Sequence, residues 1–418
     1  MSNPIRIGLI GCGRIMPAHL RGYKALREHG YHDFRITALC ARKREDALMF
    51  RKRGEGPPPR PPCAKNPADP LAAPHLYVSD FQDDADVQVY TDYREMIRQA
   101  PMDAVDIYAP VFLHHDIALA AFEAGKHVIV EKPIAITVKA AHRMVEAADK
   151  ARKALSVAEN AHYSETTRAM AWAIEEDYIG AVQAAFAISF GTLEWSPDKI
   201  AADTPWRHQK LLNGGGGATD LGVHMFNVQR YFCGEVDEVM AFVRTFEPIR
   251  RKRDAAGHVI QQVKNEVDDG YLALARFASG AVGQYAFCWA GHGERIALPG
   301  GTAIYGTKGC LKEGCIVLDD GTKHEVKFVF TRDASDHVKH AFFPLGLKDP
   351  FALEKLDFFR AIETGRAPEP SGRQGLRDLA VCYAMIESSL LNAPVKVKDV
   401  EAGQIDGYQR EINEHYKL

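Results

Sequence analysis

The first 160 residues alternate between two patterns of hydrophobic and polar positions. Short apolar runs typical of buried strands are separated by amphipathic stretches typical of helices. The apolar runs cover residues 5–10, 34–40, 104–110, 127–133 and 154–160. The helical pattern covers residues 14–28, a charged stretch that ends near residue 53, and residues 92–98, 115–124 and 137–153. This alternation predicts an α/β domain with a doubly wound sheet of parallel strands.

The pattern changes after residue 160. Apolar runs with strand character cover residues 184–190, 239–246, 271–277, 281–289 and 302–306, and helical periodicity returns at residues 164–179, 350–364 and 374–391. Ser279-Gly280 separates two of these runs like a hairpin turn. The order predicts an α+β domain built on one large, open, mostly antiparallel sheet. We place the two domains at residues 1–156 and 157–418.

One stretch of the first domain, residues 54–86, breaks the alternation. It contains GEGPPPRPPCAKNPADP, and proline at this density cannot continue a helix or enter a central strand. The simpler interpretation is a solvent-exposed loop. Because long insertions without regular structure are usually functional or mobile, a second hypothesis is that it folds over a cofactor or a neighbouring subunit.

The composition limits the classes of function. The chain has 418 residues and a formal net charge of −3, so we expect no nucleic-acid or membrane partner. Basic runs at residues 51–53 and 250–253 are interpreted as solvated faces or loops. The eight cysteines form no C-x-x-C pair and the 17 histidines no H-E-x-x-H spacing, which predicts free thiols and no metal site. Without a signal peptide or an apolar run of about 18 residues, we expect a cytoplasmic protein.

The first apolar run leads into a glycine turn, GLIGCGRIM. Gly11 and Gly13 would let the backbone turn tightly and approach a pyrophosphate, and a helix that begins near Arg14 and Ile15 would direct its N-terminal amides at that group. Met16 stands where a third glycine is usual. Because the turn lies between a strand and a helix, it predicts a Rossmann domain that binds a dinucleotide.

The end of the second apolar run bears on the choice of cofactor. NAD-binding domains usually place an acid there for the ribose hydroxyls, but this chain has Ala41 followed by Arg42, Lys43 and Arg44. Cations without a carboxylate favour a 2′-phosphate and therefore NADP over NAD. The alternative is that these cations are simply exposed at the start of a helix.

A run of four glycines, Gly214–Gly217, precedes Asp220 and His224. The spacing of the acid and the histidine would place them on one face of a helix. Absent Cβ atoms would let the glycine backbone adopt positive φ and pass close to a substrate or cofactor. The alternatives are a flexible connection and an i,i+4 helix pair of modest stabilising effect.

Several stretches together resemble one protein family. GLIGCGRI, DIYAPVFLHHDIALAAFEAGKHVIVEKPIAIT, PWR, GGGGATDLGVHMFN and IYGTKGCL are similar to segments of the glucose–fructose oxidoreductase, inositol dehydrogenase and MocA family. The similarity spans almost the whole chain apart from residues 54–86. It implies NAD or NADP as cofactor and a sugar, a cyclitol or a related derivative as substrate.

The resemblance implies a role for the E-K-P motif and for a neighbouring loop. Glu131-Lys132-Pro133 matches the motif, whose lysine reaches the oxygen of the reacting carbon beside the nicotinamide. The Lys–Pro bond is often cis in the family. Pro110 and His115 match a loop near the nicotinamide ribose. We therefore count Glu131, Lys132, Pro110 and His115 among the cofactor contacts.

The resemblance also implies the groups that act on the substrate. Asp220 and His224 match an acid and histidine pair, and Trp206-Arg207 matches a W-R pair near the substrate pocket. Hydride transfer at a carbinol carbon requires a group that exchanges the hydroxyl proton and a positive group that stabilises the alkoxide. An imidazole titrates near neutral pH, so His224 suits the proton, with Asp220 holding its orientation. Lys132 would donate to the substrate oxygen and competes for the acid–base role.

A polyol substrate needs several polar partners and an aromatic face. The residues assigned to it are Lys132, Asn160, Tyr163, Trp206, Arg207, Asp220 and His224. The main hypothesis is a sugar or cyclitol dehydrogenase or reductase. The alternatives are a cofactor-retaining glycosidase or lyase that oxidises a sugar transiently, and a non-catalytic cofactor-sensing regulator. A homodimer or homotetramer is expected, because the open sheet should bury one face.

Overall fold

The computed structural model describes residues 3–191 and 197–418, and these residues form two compact units. The first unit contains the chain up to Ile136, Ala140–Tyr163 and Phe343–Gly375, and the second contains Thr137–Lys139, Ser164–Phe342 and Leu376–Leu418. The return of Phe343–Gly375 to the first unit depends on long-range packing, which local periodicity does not reveal. Within the described ranges, every helix is too short or too polar to span a bilayer.

The first unit is built on a parallel sheet. Its strands are β1 (Ile5–Ile10), β2 (Phe34–Cys40), β3 (Gln88–Tyr90), β4 (Ala104–Ile107), β5 (His127–Glu131) and β6 (Leu155–Ala158). In the described part of the chain they lie in the order β3-β2-β1-β4-β5-β6, and all neighbours pair in parallel. Every position of β4 and β6 is buried, as expected for a sheet with helices on both faces. The doubly wound sheet is confirmed.

Helices occupy both units. In chain order they are α1 (Met16–Glu28), α2 (Arg44–Arg51), α3 (Tyr93–Gln99), α4 (His114–Glu123), α5 (Val138–Ala151), α6 (Glu165–Glu175), α7 (Lys210–Asn213), α8 (Gly217–Asp220), α9 (Gly222–Cys233), α10 (Val326–Asp333), α11 (Asp336–Phe342), α12 (Pro350–Thr364), α13 (Gly372–Leu391), α14 (Val397–Glu401) and α15 (Arg410–His415). In the first unit α1 lies against α12. A Cβ at Gly22 would be 2.7 Å from the carbonyl carbon of Phe351, so this close helix packing requires glycine.

The insertion at residues 54–86 is anchored to the first unit. Two 3₁₀ turns, Pro70–Ala72 and Val78–Asp80, interrupt its irregular backbone. The side chain of Gln82 makes two 2.8 Å hydrogen bonds with the backbone of Ile36 in β2. The ring of His75 lies 3.0 Å from the Met49 carbonyl oxygen. The segment is therefore a loop by its backbone, and these contacts hold it on the α/β core.

The second unit contains a larger sheet. Its strands are β7 (Val182–Phe190), β8 (Val236–Arg244), β11 (Gly270–Phe277), β12 (Val282–Cys288), β13 (Ile296–Ala297), β14 (Ala303–Gly306), β15 (Gly309–Lys312), β16 (Cys315–Leu318), β17 (Lys323–Glu325) and β18 (Val395–Lys396), and a separate ribbon contains β9 (Ile249–Arg253) and β10 (Val259–Lys264). Strands β7 and β12 pair in parallel, and the remaining described pairs are antiparallel. The Gly280 N–H donates to the Phe277 carbonyl at 2.9 Å, which confirms the predicted turn. The mostly antiparallel sheet is confirmed.

The solvated interpretation of residues 250–253 is wrong for one of the four. Arg250 is only 1% exposed, and its guanidinium forms an ion pair with the buried carboxylate of Asp269. The same carboxylate oxygen accepts from the side chain of Asn265 at 2.8 Å and from the indole of Trp289 at 3.2 Å. A buried arginine needs such a satisfied partner, and a partner nineteen residues away is invisible to a local charge pattern.

Candidate active site

The glycine turn of the first unit has the shape that a dinucleotide needs. Gly11 has φ of +109°, and a Cβ there would lie 2.5 Å from the Tyr108 carbonyl carbon. A Cβ built on Gly13 meets no described atom within 4 Å, so the turn is open on that side. Helix α1 begins directly afterwards, at Met16. Open glycine backbone before a helix N-terminus fits a pyrophosphate.

The insertion lies against this turn. Arg14 donates to the Pro61 carbonyl at 3.2 Å. In the opposite direction, Arg60 of the insertion donates to the carbonyl of Cys12 at 3.1 Å. The guanidinium of Arg60 also forms an ion pair with Asp46 in α2. The insertion therefore brings a cation between the glycine turn and the helix that follows β2.

The residues after β2 are exposed, as a cofactor contact requires. Ala41 is buried and its N–H donates to Tyr90 at 3.2 Å, whereas Arg42, Lys43 and Arg44 are all exposed. Arg44 reaches back to the Val89 carbonyl at 3.3 Å. Position 41 carries no acid. The carboxylate of Asp46, in the helix that follows, forms an ion pair with Arg60.

The E-K-P motif stands at the end of β5. The strand ends at Glu131, Lys132 follows half-buried, and the Lys132–Pro133 bond is cis. Oε1 of Glu131 lies 2.7 Å from Nε2 of His19 in α1. The carboxyl ends of parallel strands share one edge of a sheet, so Lys132 and the glycine turn after β1 lie at the same edge.

Two histidines line the loop after β4. His115 and Pro110, both assigned to the cofactor from sequence, lie at the start of α4 and of the 3₁₀ turn Val111–Leu113. His115 is buried. Its neighbour His114 was not assigned, yet its ring nitrogens lie 2.9 Å from the Pro133 carbonyl oxygen and 2.8 Å from that of Ala109. His114 thus connects the loop after β4 to the E-K-P loop.

In the second unit the glycine run packs against the backbone near Asp268. Asp268 receives hydrogen bonds from the backbone N–H of Gly216 at 2.8 Å and of Ala218 at 2.7 Å. A Cβ on Gly216 would overlap the Asp268 carbonyl oxygen. Only Gly214 in the run has positive φ, +79°. The predicted close approach exists, but the described neighbour is the backbone of residues 268–269 rather than a ligand.

The acid and the histidine lie on consecutive helices. Asp220 ends α8 and His224 lies in the first turn of α9, with Leu221 between the two helices. The single continuous helix expected from the spacing is therefore interrupted. Asp220 is buried and its carboxylate accepts from Arg207 at 3.0 Å. The same guanidinium lies 4.7 Å from the ring centroid of Trp206, so the W-R pair and the acid form one cluster.

Two other substrate assignments have different surroundings. Asn160 is half-buried just after β6. Tyr163 is 1% exposed and belongs to the hydrophobic core of the first unit, together with Ile129 and Ala158. A side chain packed in that way has no surface for a sugar, so the assignment of Tyr163 to the substrate is not supported by its burial.

His224 lies at a cavity within the second unit. The cavity has a volume of about 910 Å³ and is lined along α9 by Leu221, His224, Met225, Val228, Gln229 and Phe232. Because an α-helix rises about 1.5 Å per residue, the cavity extends along α9 for roughly 16 Å. Hydroxyl groups of Ser164, Thr167 and Thr302 also line it. Mixed apolar and polar lining of this size is typical of small-molecule sites.

Comparisons with known proteins agree with this geometry. Residues 5–159 match the model of an oxidoreductase family with an NAD-binding Rossmann fold, and residues 167–312 match the GFO/IDH/MocA C-terminal domain. Levoglucosan dehydrogenase of Pseudarthrobacter phenanthrenivorans is 29% identical over 341 residues, which cover 75% of this chain and 84% of that protein. Myo-inositol 2-dehydrogenase of Thermotoga maritima is 25% identical over 403 residues, which cover 95% of this chain and 99% of that protein.

Solved structures have the same fold as this chain. Levoglucosan dehydrogenase in its apo form superposes with a TM-score of 0.72 at 25% identity, covering 94% of this chain and 99% of that one. Its complex with NADH and L-sorbose has the same TM-score at 23% identity, with 95% and 99% covered. The glycine turn, the E-K-P motif and both matched domains show that this chain belongs to the GFO/IDH/MocA family of oxidoreductases.

Proposed function

We propose that the protein transfers a hydride between NAD(P) and a secondary alcohol or ketone carbon of a sugar, a cyclitol or a sugar derivative. The observation that carries the proposal is the position of Lys132, which follows β5 at the sheet edge where β1 ends in the glycine turn. Relatives named as levoglucosan dehydrogenase, 1,5-anhydro-D-fructose reductase and myo-inositol 2-dehydrogenase support the substrate class.

The residues of the first unit fit a dinucleotide. Bound NAD(P) supplies the hydride acceptor or donor. The backbone of Gly11 and Gly13 and the start of α1, with Arg14 and Ile15, would hold the pyrophosphate. Pro110, His115 and Glu131 would lie toward the nicotinamide half, because they follow β4 and β5 at the same sheet edge.

Residues of this chain would exchange the hydroxyl proton of the substrate and stabilise the negative charge that develops on its oxygen. When an alcohol loses hydride from carbon, its O–H proton must leave to a base, and ketone reduction returns one. We assign that proton to His224 and the hydrogen bond to the substrate oxygen to Lys132. Asp220 would orient the site through its 3.0 Å contact with Arg207.

Arg207 and Trp206 would bind the sugar itself. Nε of Arg207 is buried and has no hydrogen-bond partner among the described residues. A buried N–H without a partner is costly, and a substrate hydroxyl would satisfy it. The face of Trp206 suits the C–H face of a sugar ring. Asn160 remains a proposed polar contact on the first unit.

We propose NADP as the preferred dinucleotide. Exposed Arg42, Lys43 and Arg44 follow β2, position 41 carries no carboxylate, and Arg60 lies within reach of the same region. Guanidinium groups bind phosphate through several hydrogen bonds at once. A 2′-phosphate would find cations there, and an unmodified ribose would lack its usual acidic acceptor.

The experiment is an absorbance assay of a panel of sugars and cyclitols with NAD⁺ and NADP⁺ in turn. Lys132→Ala and His224→Ala should each lower kcat by about 100-fold or more, the usual contribution of a positioned acid–base group. The controls are Lys308→Ala and His258→Ala, whose side chains are mostly exposed. A double variant that keeps the full rate would refute the assignment. Turnover without net change in absorbance would favour the cofactor-retaining glycosidase or lyase.

A further inference from the structure

A cluster of buried ionisable side chains contacts the E-K-P strand end. The members come from four elements of the first unit: His19 and Tyr23 from α1, Asp106 and Tyr108 from β4 and the loop after it, Glu131 from β5, and Glu354 and Lys355 from α12. Lys132 adjoins Glu131 in sequence. Since charged groups are rarely buried unless paired, the cluster requires an explanation.

One end of the cluster is a buried charge pair. The carboxylate of Asp106 accepts from the hydroxyl of Tyr23 at 2.7 Å and from that of Tyr108, and Nζ of Lys355 lies 2.9 Å from the same oxygen. All four side chains are buried. The positive charge of Lys355 therefore faces two carboxylates, Asp106 and also Glu354, whose Oε1 lies 3.1 Å from Nζ.

The other end connects α12 to the E-K-P strand through one imidazole. Nε2 of His19 lies 2.7 Å from Oε1 of Glu131, and Nδ1 lies 3.6 Å from Oε1 of Glu354. His19 stacks on Tyr108 with ring centroids 4.0 Å apart, which fixes the ring plane. Nδ1 of His19 and both oxygens of Glu354 are buried and make no hydrogen bond within the described residues.

These contacts fix one hydrogen of His19, and the pKa directions of the buried groups favour a place for the other proton. A carboxylate accepts only, so Nε2 of His19 must carry the hydrogen that faces Glu131. Its Nδ1 faces Oε1 of Glu354, the oxygen that also lies 3.1 Å from Nζ of Lys355, so one proton between Nδ1 and Glu354 would give the nitrogen the partner that it lacks. Burial raises the pKa of Glu354 to about 8 and lowers the pKa of His19. Although burial alone would raise it, the hydrogen bond from His19 lowers the pKa of Glu131 to about 2.

We propose that Glu354 and His19 share one proton and act as positioning residues for Lys132. The acid hydrogen of Glu354 points toward Nδ1 of His19 and so fixes the tautomer of the imidazole. The Nε2–H of His19 then holds the Glu131 carboxylate beside Lys132. The arrangement only places a proton, and neither Glu354 nor His19 reacts with the substrate. The role of Lys132 rests on the proposed function, whereas the shared proton does not.

The arrangement has a defined pH dependence. The groups that face Glu354 and His19 are Tyr23, Asp106, Tyr108, Glu131 and Lys355, and none of the carboxylates among them can replace the lost proton. The folded-state pKa of Glu354 is raised from 4.5 to about 8, so the folded protein binds more protons than the unfolded chain between these values. Its contribution to stability is therefore complete below about pH 4.5 and is lost as the pH rises to about 8.

The test compares Glu354→Gln with Glu354→Ala. Glutamine is neutral and can donate to Nδ1 of His19, so it should keep kcat within about twofold at pH 7. Alanine should lower kcat by about 10-fold to 100-fold with little change in KM, because a misdirected group near the reacting atoms has an effect of this size. The matched control is Glu363→Gln on the same helix, an exposed carboxylate that accepts from Tyr31.

Two further readouts separate positioning from mere folding. In ¹⁵N-histidine-labelled protein, the His19 signal, identified by its loss in His19→Gln, should report the neutral Nε2–H form at pH 7 and change near pH 8. Glu354→Gln should remove both that change and the slope of unfolding free energy between about pH 4.5 and 8. A positively charged His19 at pH 7, or equal rates in the glutamine and alanine variants, would overturn the proposal. If Lys132→Ala keeps full activity, the proposed function fails while the nitrogen shifts still decide the shared proton.

Discussion

At Gly216 the backbone passes so close to residue 268 that no side chain fits. A Cβ there would overlap the carbonyl oxygen of Asp268 and lie 3.0 Å from a methyl group of Val267. The Asp268 backbone cannot easily move away, because its carboxylate accepts hydrogen bonds from the N–H groups of Gly216 and Ala218. The glycine run thus fixes the start of α8, which carries Asp220.

The replacement of Gly216 by alanine should therefore affect stability before activity. We expect Gly216→Ala to lower the free energy of unfolding by about 3 kcal/mol or more, since overpacking against backbone costs this much. Urea unfolding measures the effect. Gly407→Ala is the control, because its Cβ would meet only the carboxylate tip of Glu387 at 3.2 Å. A Gly216→Ala variant of normal stability and reduced turnover would restore the ligand-approach interpretation.

The sequence analysis named residues for the candidate site but could not name the partners that hold them. Asp220 and Arg207 were both assigned, but their 3.0 Å contact depends on how the 3₁₀ turn Pro205–His208 folds back. His19 was missed because, without the buried carboxylates of Glu131 and Glu354, it reads as one polar position in an amphipathic helix. A one-dimensional pattern carries no signal for contacts between residues more than a hundred positions apart.

Among the elements, the insertion at residues 54–86 is the one that reaches the glycine turn from outside the alternating strands and helices. Its Arg60 donates to the Cys12 carbonyl within the glycine turn and pairs with Asp46 at the start of α2. The glycine turn binds pyrophosphate and the residues after β2 bind the adenosine ribose in such folds. We therefore expect Arg60, which lies between these points, to contact the adenosine half of the cofactor.

We expect Arg60→Ala to weaken cofactor binding. The dissociation constant for NADP⁺ should rise about tenfold, equivalent to about 1.4 kcal/mol, and that for NAD⁺ should rise less. The physical reason is that the substitution removes a phosphate partner and also leaves the Asp46 carboxylate unpaired near a 2′-phosphate. Isothermal titration calorimetry with each dinucleotide measures both constants.

The control for this experiment is Arg53→Ala. That arginine lies at the base of the insertion, where it pairs with Asp80 at 2.8 Å and stacks on Tyr77. Its loss should leave both dissociation constants unchanged. If Arg60→Ala behaves like the control, the insertion is a structural loop and contributes nothing to the cofactor site.

Helices and strands were predictable where buried positions recur with a regular spacing along the sequence. Most strand and helix bounds of the first 160 residues follow the alternation of apolar runs and amphipathic stretches to within a few residues, because strands such as β4 and β6 are buried at every position. The short strand β3 (Gln88–Tyr90) was not predicted, since none of its three residues is fully buried. Ribbon β9–β10 was not predicted, since its strands IRRKR and VIQQVK lack an apolar alternation. Arg250 is stabilised there by the distant carboxylate of Asp269.

At the scale of the whole molecule, one face of the second sheet is apolar and exposed. Phe242 of β8, Leu272 and Leu274 of β11 and Val282 of β12 are all more than half exposed. These strands are neighbours, and Leu272 pairs directly with Phe242. Contiguous apolar patches of this kind are uncommon on monomers and mark association surfaces. We propose a second copy of this chain as the occupant, because a two-fold axis can place one flat apolar patch on its own copy.

A charge placed in the centre of this patch should dissociate the assembly. Leu274, which is 59% exposed and pairs with Met240 and Gln284, is the position of choice, because Leu274→Glu would bury a carboxylate without a partner in the interface. Sedimentation velocity should show the wild type as a dimer or tetramer and the variant as a monomer with unchanged far-ultraviolet circular dichroism. Phe328→Glu is the control, since Phe328 is 60% exposed on α10 rather than on the sheet, and its sedimentation should match the wild type. A wild-type protein that sediments as a monomer at micromolar concentration would exclude this face as a stable contact between copies and leave its apolar side chains without the partner proposed here.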